Sequence, residues 1–282
     1  MRIWHQGFVD FNKVPVYRKS FELHLGQVIG KDVEVTIHGL MPGTYGAGMT
    51  PIDALRHPYI EKLLSSQICE AALTAERAGY DAVAVNCFYD PALREARSLV
   101  DIPVVSLFES CVLTALSLGH SVGMLALNDD QCAKHLELVE QYGFGRRFTA
   151  TLPVNPPIDE YMLEAPPEAT EAISEGVLKA CRELTGAGAD VIIPGDGVLN
   201  DYIWRRRLAV ADAVLMDAAA VLIHHACYLI GLRRHIGLGV SRHRHYARAS
   251  QPKLDHIRRL SGRQTIEESG FSGVGTVKSS KA

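Results

Sequence analysis

Two ten-residue stretches constrain this chain more than anything else in it. Residues 78–87 read AGYDAVAVNC and residues 187–196 read AGADVIIPGD. Each follows a helical pattern, opens Ala-Gly-x-Asp, runs through an apolar segment and ends on a polar residue at the same offset. A short continuous apolar run of this kind reads as a strand buried on both faces of a parallel sheet. Cys87 and Asp196 lie 109 positions apart (196 − 87), too far for a stacked repeat and suited to a duplicated lobe. Two lobes facing each other set Cys87 and Asp196 on opposite walls of one cleft.

The rest of the chain alternates in the same way. The pattern predicts strands over 2–6, 32–40, 82–87, 103–108, 121–127, 148–154, 190–194 and 214–216. Helices are predicted over 17–28, 57–78, 92–99, 110–118, 129–142, 168–185 and 217–232. Residues 41–51, with three glycines and two prolines, read as an open loop, and the proline-rich, acidic 155–167 as a crossover between lobes. Strand–helix alternation implies mainly parallel sheets covered on both faces. The fold class is therefore α/β: two similar Rossmann-like lobes with an active site in the cleft between them. Residues 1–110 and 215–245 are assigned to the first lobe, 111–214 to the second and 246–282 to a C-terminal extension. From about Gly262 the Ser-, Gly- and Lys-rich composition predicts disorder.

Composition excludes some classes of function. A net charge of −3 argues against a nucleic-acid footprint, and no run approaches the ~18 apolar residues of a membrane span. The start, MRIWHQGF, lacks the zones of a secretory signal. Six cysteines without a CxxC pair suggest a reducing, cytoplasmic setting rather than a disulfide framework.

Cys87 stands apart from the other five thiols, which read as small core residues. It closes a strand, and Phe88-Tyr89-Asp90 turns the chain toward Pro91, which suits the first turn of a helix. The carboxyl end of a strand facing a helix amino end is where α/β proteins put their chemistry, and such a location can lower a thiol pKa. The bland alternative is an inert buried thiol. For Asp196, in Gly195-Asp196-Gly197, the alternative is a helix cap or turn residue.

At these residues the chain resembles the aspartate/glutamate/hydantoin racemase superfamily. The likeness rests on 81–87 (DAVAVNC), 90–97 (DPALREAR), 103–109 (PVVSLFE), 188–193 (GADVII) and 217–220 (DAAA), and runs through about residues 1–245. The hydantoin or allantoin racemase branch is the nearest in pattern. The resemblance implies a cofactor-independent enzyme on a small-molecule substrate, and a homo-oligomer. It also implies two acid–base groups on opposite faces of the substrate. This chain departs from the family twice. The second cysteine, normally in a Gly-Cys context, is Asp196, and His5-Gln6-Gly7 replaces the Asn-Pro-Asn element after the first strand.

Cys87 and Asp196 are thus the candidate catalytic pair, with Gln6, Tyr45, Asn86, Phe88, Gly197 and Val198 as candidate substrate contacts. Asn86 and Phe88 equally suit a role in shaping the turn, and Tyr45 either closes the cleft or lies on the surface. Three chemistries fit: racemisation or isomerisation by the pair, one-sided protonation by Cys87 as in the arylmalonate decarboxylase branch, or nucleophilic attack by Cys87 on a cyclic amide or lactone. A non-catalytic binding protein is the rival outside enzymes. The substrate is expected to be a small carboxylate or a cyclic ureide. Arg205–Arg207 either neutralise a substrate carboxylate or form a surface run. His243 and His245 lack metal-ligand spacing and read as part of a solvated basic patch.

Overall fold

The computed structural model describes residues 1–46, 48–262 and 273–281. It has two sheets. The first contains β1 (Arg2–Gly7), β2 (Glu34–His38), β3 (Ala82–Asn86), β4 (Val104–Ser106) and β9 (Gly275–Lys278) in the order β4-β3-β1-β2-β9. The second contains β5 (Val122–Ala126), β6 (Phe148–Pro153), β7 (Val191–Pro194) and β8 (Val214–Leu215) in the order β6-β5-β7-β8. Every pairing is parallel except β2 with β9. These are the two Rossmann-like lobes that the alternation predicts.

The apolar runs place themselves by burial. All of β3, β5 and β7 is buried, which requires helices on both faces. Side chains alternate across a strand, so Ala82 and Ala84 enter the core that spans both lobes. Val83, Val85 and Cys87 enter a second core with Trp4, Ile68 and Leu93. The helix α3 (Pro58–Arg77) covers that second face, and α9 (Ala218–Ile236) covers the first together with α5 (Leu107–Leu118). The chain leaves the first sheet through α5 and returns through β8 and α9. Between the lobes, α1 (Pro15–Val28) packs on α8 (Gly197–Arg206).

Several elements differ from the sequence reading, for identifiable reasons. The strand predicted to reach Phe108 ends at Ser106 because the Asp90 carboxylate captures the backbone N–H groups of Phe108 and Glu109, both at 3.1 Å, and starts α5 there. The helix after Cys87 begins at Leu93, not at Pro91; Asp90 (φ 45°) and Ala92 (φ 51°) put a left-handed turn before it. A short helix α2 (Pro51–Leu55), capped by the Thr50 hydroxyl on Asp53 N–H, occupies the end of the open loop.

The C-terminal region also corrects the expectation. Gly275–Lys278, placed in a disordered tail, pairs antiparallel with β2 and buries Val277. Composition misleads here, since an edge strand needs only its backbone and one apolar side chain. Residues 263–272 and 282 lie outside the described residues. The basic run is not simply solvated either. Arg242 bonds Arg97 O at 2.7 Å and Asp101 at 2.5 Å, Arg248 bonds Asp101 at 2.7 Å, and Arg258 makes a paired 2.6 Å contact with Glu70. Together they fasten the extension, including α10 (Gln251–Leu260), onto α3 and α4 (Leu93–Leu99). Among the described residues no helix is long and apolar enough to cross a membrane.

Candidate active site

The carboxyl ends of β3 and β7 meet at a small cavity of about 30 Å³. Cys87, Asn86, Phe88 and Tyr89 line it from the first lobe, and Asp196, Gly197 and Val198 from the second. Phe8, Val9, Tyr17, Gln131, Glu160 and the α2 residues Pro51, Ile52 and Leu55 complete the wall. Six of the eight sequence-derived site residues therefore converge. Gln6 and Tyr45 do not line the cavity. Gln6 is buried, accepting from Trp4 Nε1 at 3.0 Å and donating to Gly39 O at 2.8 Å. Tyr45 is buried behind the wall, where its hydroxyl donates to Phe8 O at 2.6 Å. Arg205 and Arg206 are held by Asp201 and Glu171 at 2.9 and 2.6 Å, and Arg207 ends α8; none of the three lines this cavity.

The second-lobe wall is built on glycines. A Cβ at Gly195 would sit 2.1 Å from Leu125 O and 2.4 Å from the His135 ring, so only glycine lets β7 end this close to β5. A Cβ at Gly197 would sit 3.2 Å from the Asn86 amide, which is the closeness of the two strand ends. Asp196 caps α8, its Oδ1 accepting from Val198 N at 2.8 Å and Leu199 N at 2.9 Å. The cap reading is thus true of Asp196, and the same residue also faces Cys87 across the cavity.

Burial dominates the electrostatics. It pushes the Cys87 thiol well above its ordinary pKa, and the Asp196, Asp90 and Glu61 carboxylates add to the shift while the Tyr89 backbone N–H opposes it. The strand-end position therefore does not yield a resting thiolate, contrary to the sequence expectation, because a strand-end dipole is outweighed by enclosure among acids. Asp196 is likewise raised by burial, against the N–H groups of Leu199 and Val198 and the Gln131 side chain. Burial, then the Asp196 charge, raises Glu160 well above the usual carboxylate range. At neutral pH the site is a neutral thiol facing two carboxyl groups that hold their protons more tightly than free ones.

Glu160 was not among the predicted residues. It sits in the crossover, 3% exposed, with Oε2 lacking a hydrogen-bond partner in the protein. Asn86 shows the same pattern: its Nδ2 donates to Tyr17 Oη at 2.6 Å, and its Oδ1 is buried without a partner. His135 stands behind Gly195 and Phe88, and burial lowers its pKa to about 3, so it is uncharged there. Cross-lobe contacts close the rim: Arg56 with Asp130 at 2.8 Å, Lys134 with Glu61 at 3.5 Å, and the Ile52 N–H toward Glu160. Among the described residues no group of three His, Cys, Asp or Glu side chains is placed to hold a metal. A thiol and a carboxyl on opposite walls can exchange protons with two faces of one carbon.

Comparison with known proteins agrees with this architecture. An allantoin racemase from Klebsiella pneumoniae superimposes with a TM-score of 0.68 at 19% identity, covering 89% of this chain and 94% of that one. An allantoin racemase from Pseudomonas fluorescens gives 0.65 at 22%, covering 88% and 97%. A glutamate racemase isoform from Bacillus anthracis gives 0.51 at 14%, covering 94% of each. At such identities the likeness is one of fold. A search of curated proteins returned no match. A family model described as Asp/Glu/Hydantoin racemase matches residues 48–226, more than half of the chain. On that match, and with two lobes joined at a cavity between strand ends, the chain belongs to the Asp/Glu/hydantoin racemase family, a family of isomerase-type enzymes.

Proposed function

We propose that the protein racemises or epimerises an uncharged cyclic ureide of the hydantoin type, without a cofactor, using Cys87 and Asp196 as the two acid–base groups. The observation that carries this reading is that a thiol and a carboxyl from two different lobes line one closed cavity. Asp196, ionised, takes the proton from the acidic carbon, and the electron pair moves onto the adjoining carbonyl as an enolate. Cys87 gives its S–H proton to the opposite face and becomes a thiolate. The enzyme is then poised for the reverse direction, with Cys87 as base and Asp196 as acid, until proton exchange with solvent resets it. A raised thiol pKa favours that reset, since the thiolate is the less stable form.

Charge supports a ureide over a carboxylate. Asp196 and Glu160 are acids, and no Lys, Arg or His lines the cavity among the described residues. A substrate carboxylate would enter without a partner, at high cost in an enclosed site. The unpartnered acceptors Asn86 Oδ1 and Glu160 Oε2 instead match the N–H donors of a ureide. The cavity is far below the ~300 Å³ of ordinary ligand pockets, so the reading requires the α2 segment to move for entry.

The test is incubation of enantiopure 5-substituted hydantoins in D₂O, with Cys87→Ala and Asp196→Asn alongside. Deuterium uptake at C5 with loss of optical purity, abolished in both variants, supports the proposal. A Cys87-dependent gain of water or loss of CO₂ would replace it with a hydrolase or decarboxylase. Uptake with retained configuration would leave only one-sided protonation.

A further inference from the structure

A second, wider recess has no part in this chemistry. A groove of about 880 Å³ runs between α1 of the first lobe and α8 and β8 of the second. Its size falls within the range of small-molecule sites. Ile203, Trp204, Leu208 and Met216 form an apolar floor, and Leu23, 58% exposed, forms one bank. The Trp204 ring is held flat by stacking on His24, at 4.4 Å between centroids and 16° between planes.

The charges on the groove are unequal in their engagement. Asp217 is occupied by His24 at 2.6 Å and by the Ala220 N–H at 3.1 Å, where it caps α9. Glu164, near one end, spends its oxygens on the N–H groups of Val16 and Tyr17 at 2.6 and 2.8 Å. Arg205 is paired with Asp201. Lys19 and Arg207 line the groove from opposite banks, one on α1 and one at the end of α8, and neither side chain has a hydrogen bond or ion pair among the described residues. The acids are therefore satisfied and two cations are free above an aromatic and aliphatic floor.

We propose that this groove is a second ligand site, separate from the Cys87 cavity, which takes a small amphipathic anion. Its flat or aliphatic body lies on Trp204, Leu208 and Leu23, and its carboxylate, sulfonate or phosphate lies between Lys19 and Arg207. Such a ligand touches both lobes, and it contacts the far end of the helix that begins at Asp196.

Tryptophan emission gives a direct readout, because the chain has two tryptophans and Trp4 is buried against His38 at 3.4 Å. The full chain would be titrated with anilinonaphthalene sulfonate and, separately, with anilinonaphthalene lacking the sulfonate, with calorimetry in parallel. The expected result is saturable sulfonate binding that changes Trp204 emission, survives in Cys87→Ala, and weakens about tenfold in Lys19→Glu and again in Arg207→Glu. Trp204→Phe should remove the emission change while Trp4→Phe keeps it. Both charge reversals are at exposed positions, and circular dichroism checks that they fold. Binding equal for the two probes, binding insensitive to both reversals, or no binding at millimolar probe would each overturn the proposal. So would an oligomer that masks Trp204 and binds probe only after Leu23→Asp dissociates it, since the groove would then be an interface between copies.

Discussion

Substitutions at Asp196 separate its two roles. As a cap it satisfies two backbone N–H groups of α8; as a proposed base it needs a titratable oxygen. Asp196→Asn keeps a carbonyl acceptor for Val198 and Leu199 and removes the base. Burial raises the Asp196 pKa, which means that the ionised carboxyl costs folding free energy, so Asn should leave Tm unchanged or raise it. Asp196→Ala loses the cap at a cost of about 1 kcal/mol, or about 2 °C in Tm for a chain of this size. Both variants should slow deuterium wash-in at C5 of a hydantoin by about 10²- to 10⁴-fold, the usual worth of a positioned acid–base group. Asp196→Cys supplies a titratable thiol at that position, and should recover part of the exchange on that face. Proton NMR for exchange and thermal melts for stability decide the matter. Exchange within tenfold of wild type in Asp196→Asn would refute the catalytic reading and leave a cap.

Other expectations follow from the same geometry. Burial makes Glu160 hold its proton, so Glu160→Gln should narrow the preference for neutral hydantoins over carboxylate analogues only as pH rises and the wild-type carboxyl ionises, by up to about tenfold in kcat/KM, measured by competition across pH. Gly195→Ala forces a Cβ onto Leu125 O and should cost about 3 kcal/mol in urea denaturation, or fail to fold. Burial raises Asp90 and Asp201 to about 6 from 3.8. The native state then binds more protons than the unfolded one between about pH 4 and 6, so their contribution to stability falls as pH rises through that window and is flat above it. Each shift is worth about 3 kcal/mol at most; Asp90→Asn and Asp201→Asn should each flatten the fall in denaturation midpoint across pH 4–7.

How much of this was legible in the sequence follows from the range of the interactions. Strand runs such as 82–85 and 191–194 declare themselves because burial on both faces leaves no polar position. The Ala-Gly-x-Asp echo then places Cys87 and Asp196 at equivalent strand ends, and the cavity lies where those ends meet. Gln131 was missed, although Asn128-x-x-Gln131 is a capping pattern that could have marked it, with Asn128 accepting from Gln131 N at 3.1 Å. Glu160 was not legible, because a carboxyl in a proline-rich crossover carries no period, and its burial comes from Ile52 and Asp196, more than thirty positions away on either side. The β9 strand hid for a related reason, since its partner β2 lies some 240 residues upstream.

The misplaced expectations for Gln6 and the thiol pKa share one cause. Both assigned an environment from chain position alone, whereas environment is set by what packs from elsewhere. Gln6 lies near the end of β1 opposite His38 of β2, and the carbonyl of the next residue, Gly39, claims its amide at 2.8 Å. Cys87 sits at a favourable strand end, but burial opposes a thiolate, and Asp196 and Glu61 from other elements, with Asp90 from its own turn, add to that. An acid in place of a second thiol therefore does more than exchange one base for another. Under the proposed mechanism it biases the resting form toward carboxylate as base and thiol as acid, so one enantiomer should be the preferred substrate of that form. The sign of that preference can be read from which enantiomer exchanges deuterium first in a single turnover.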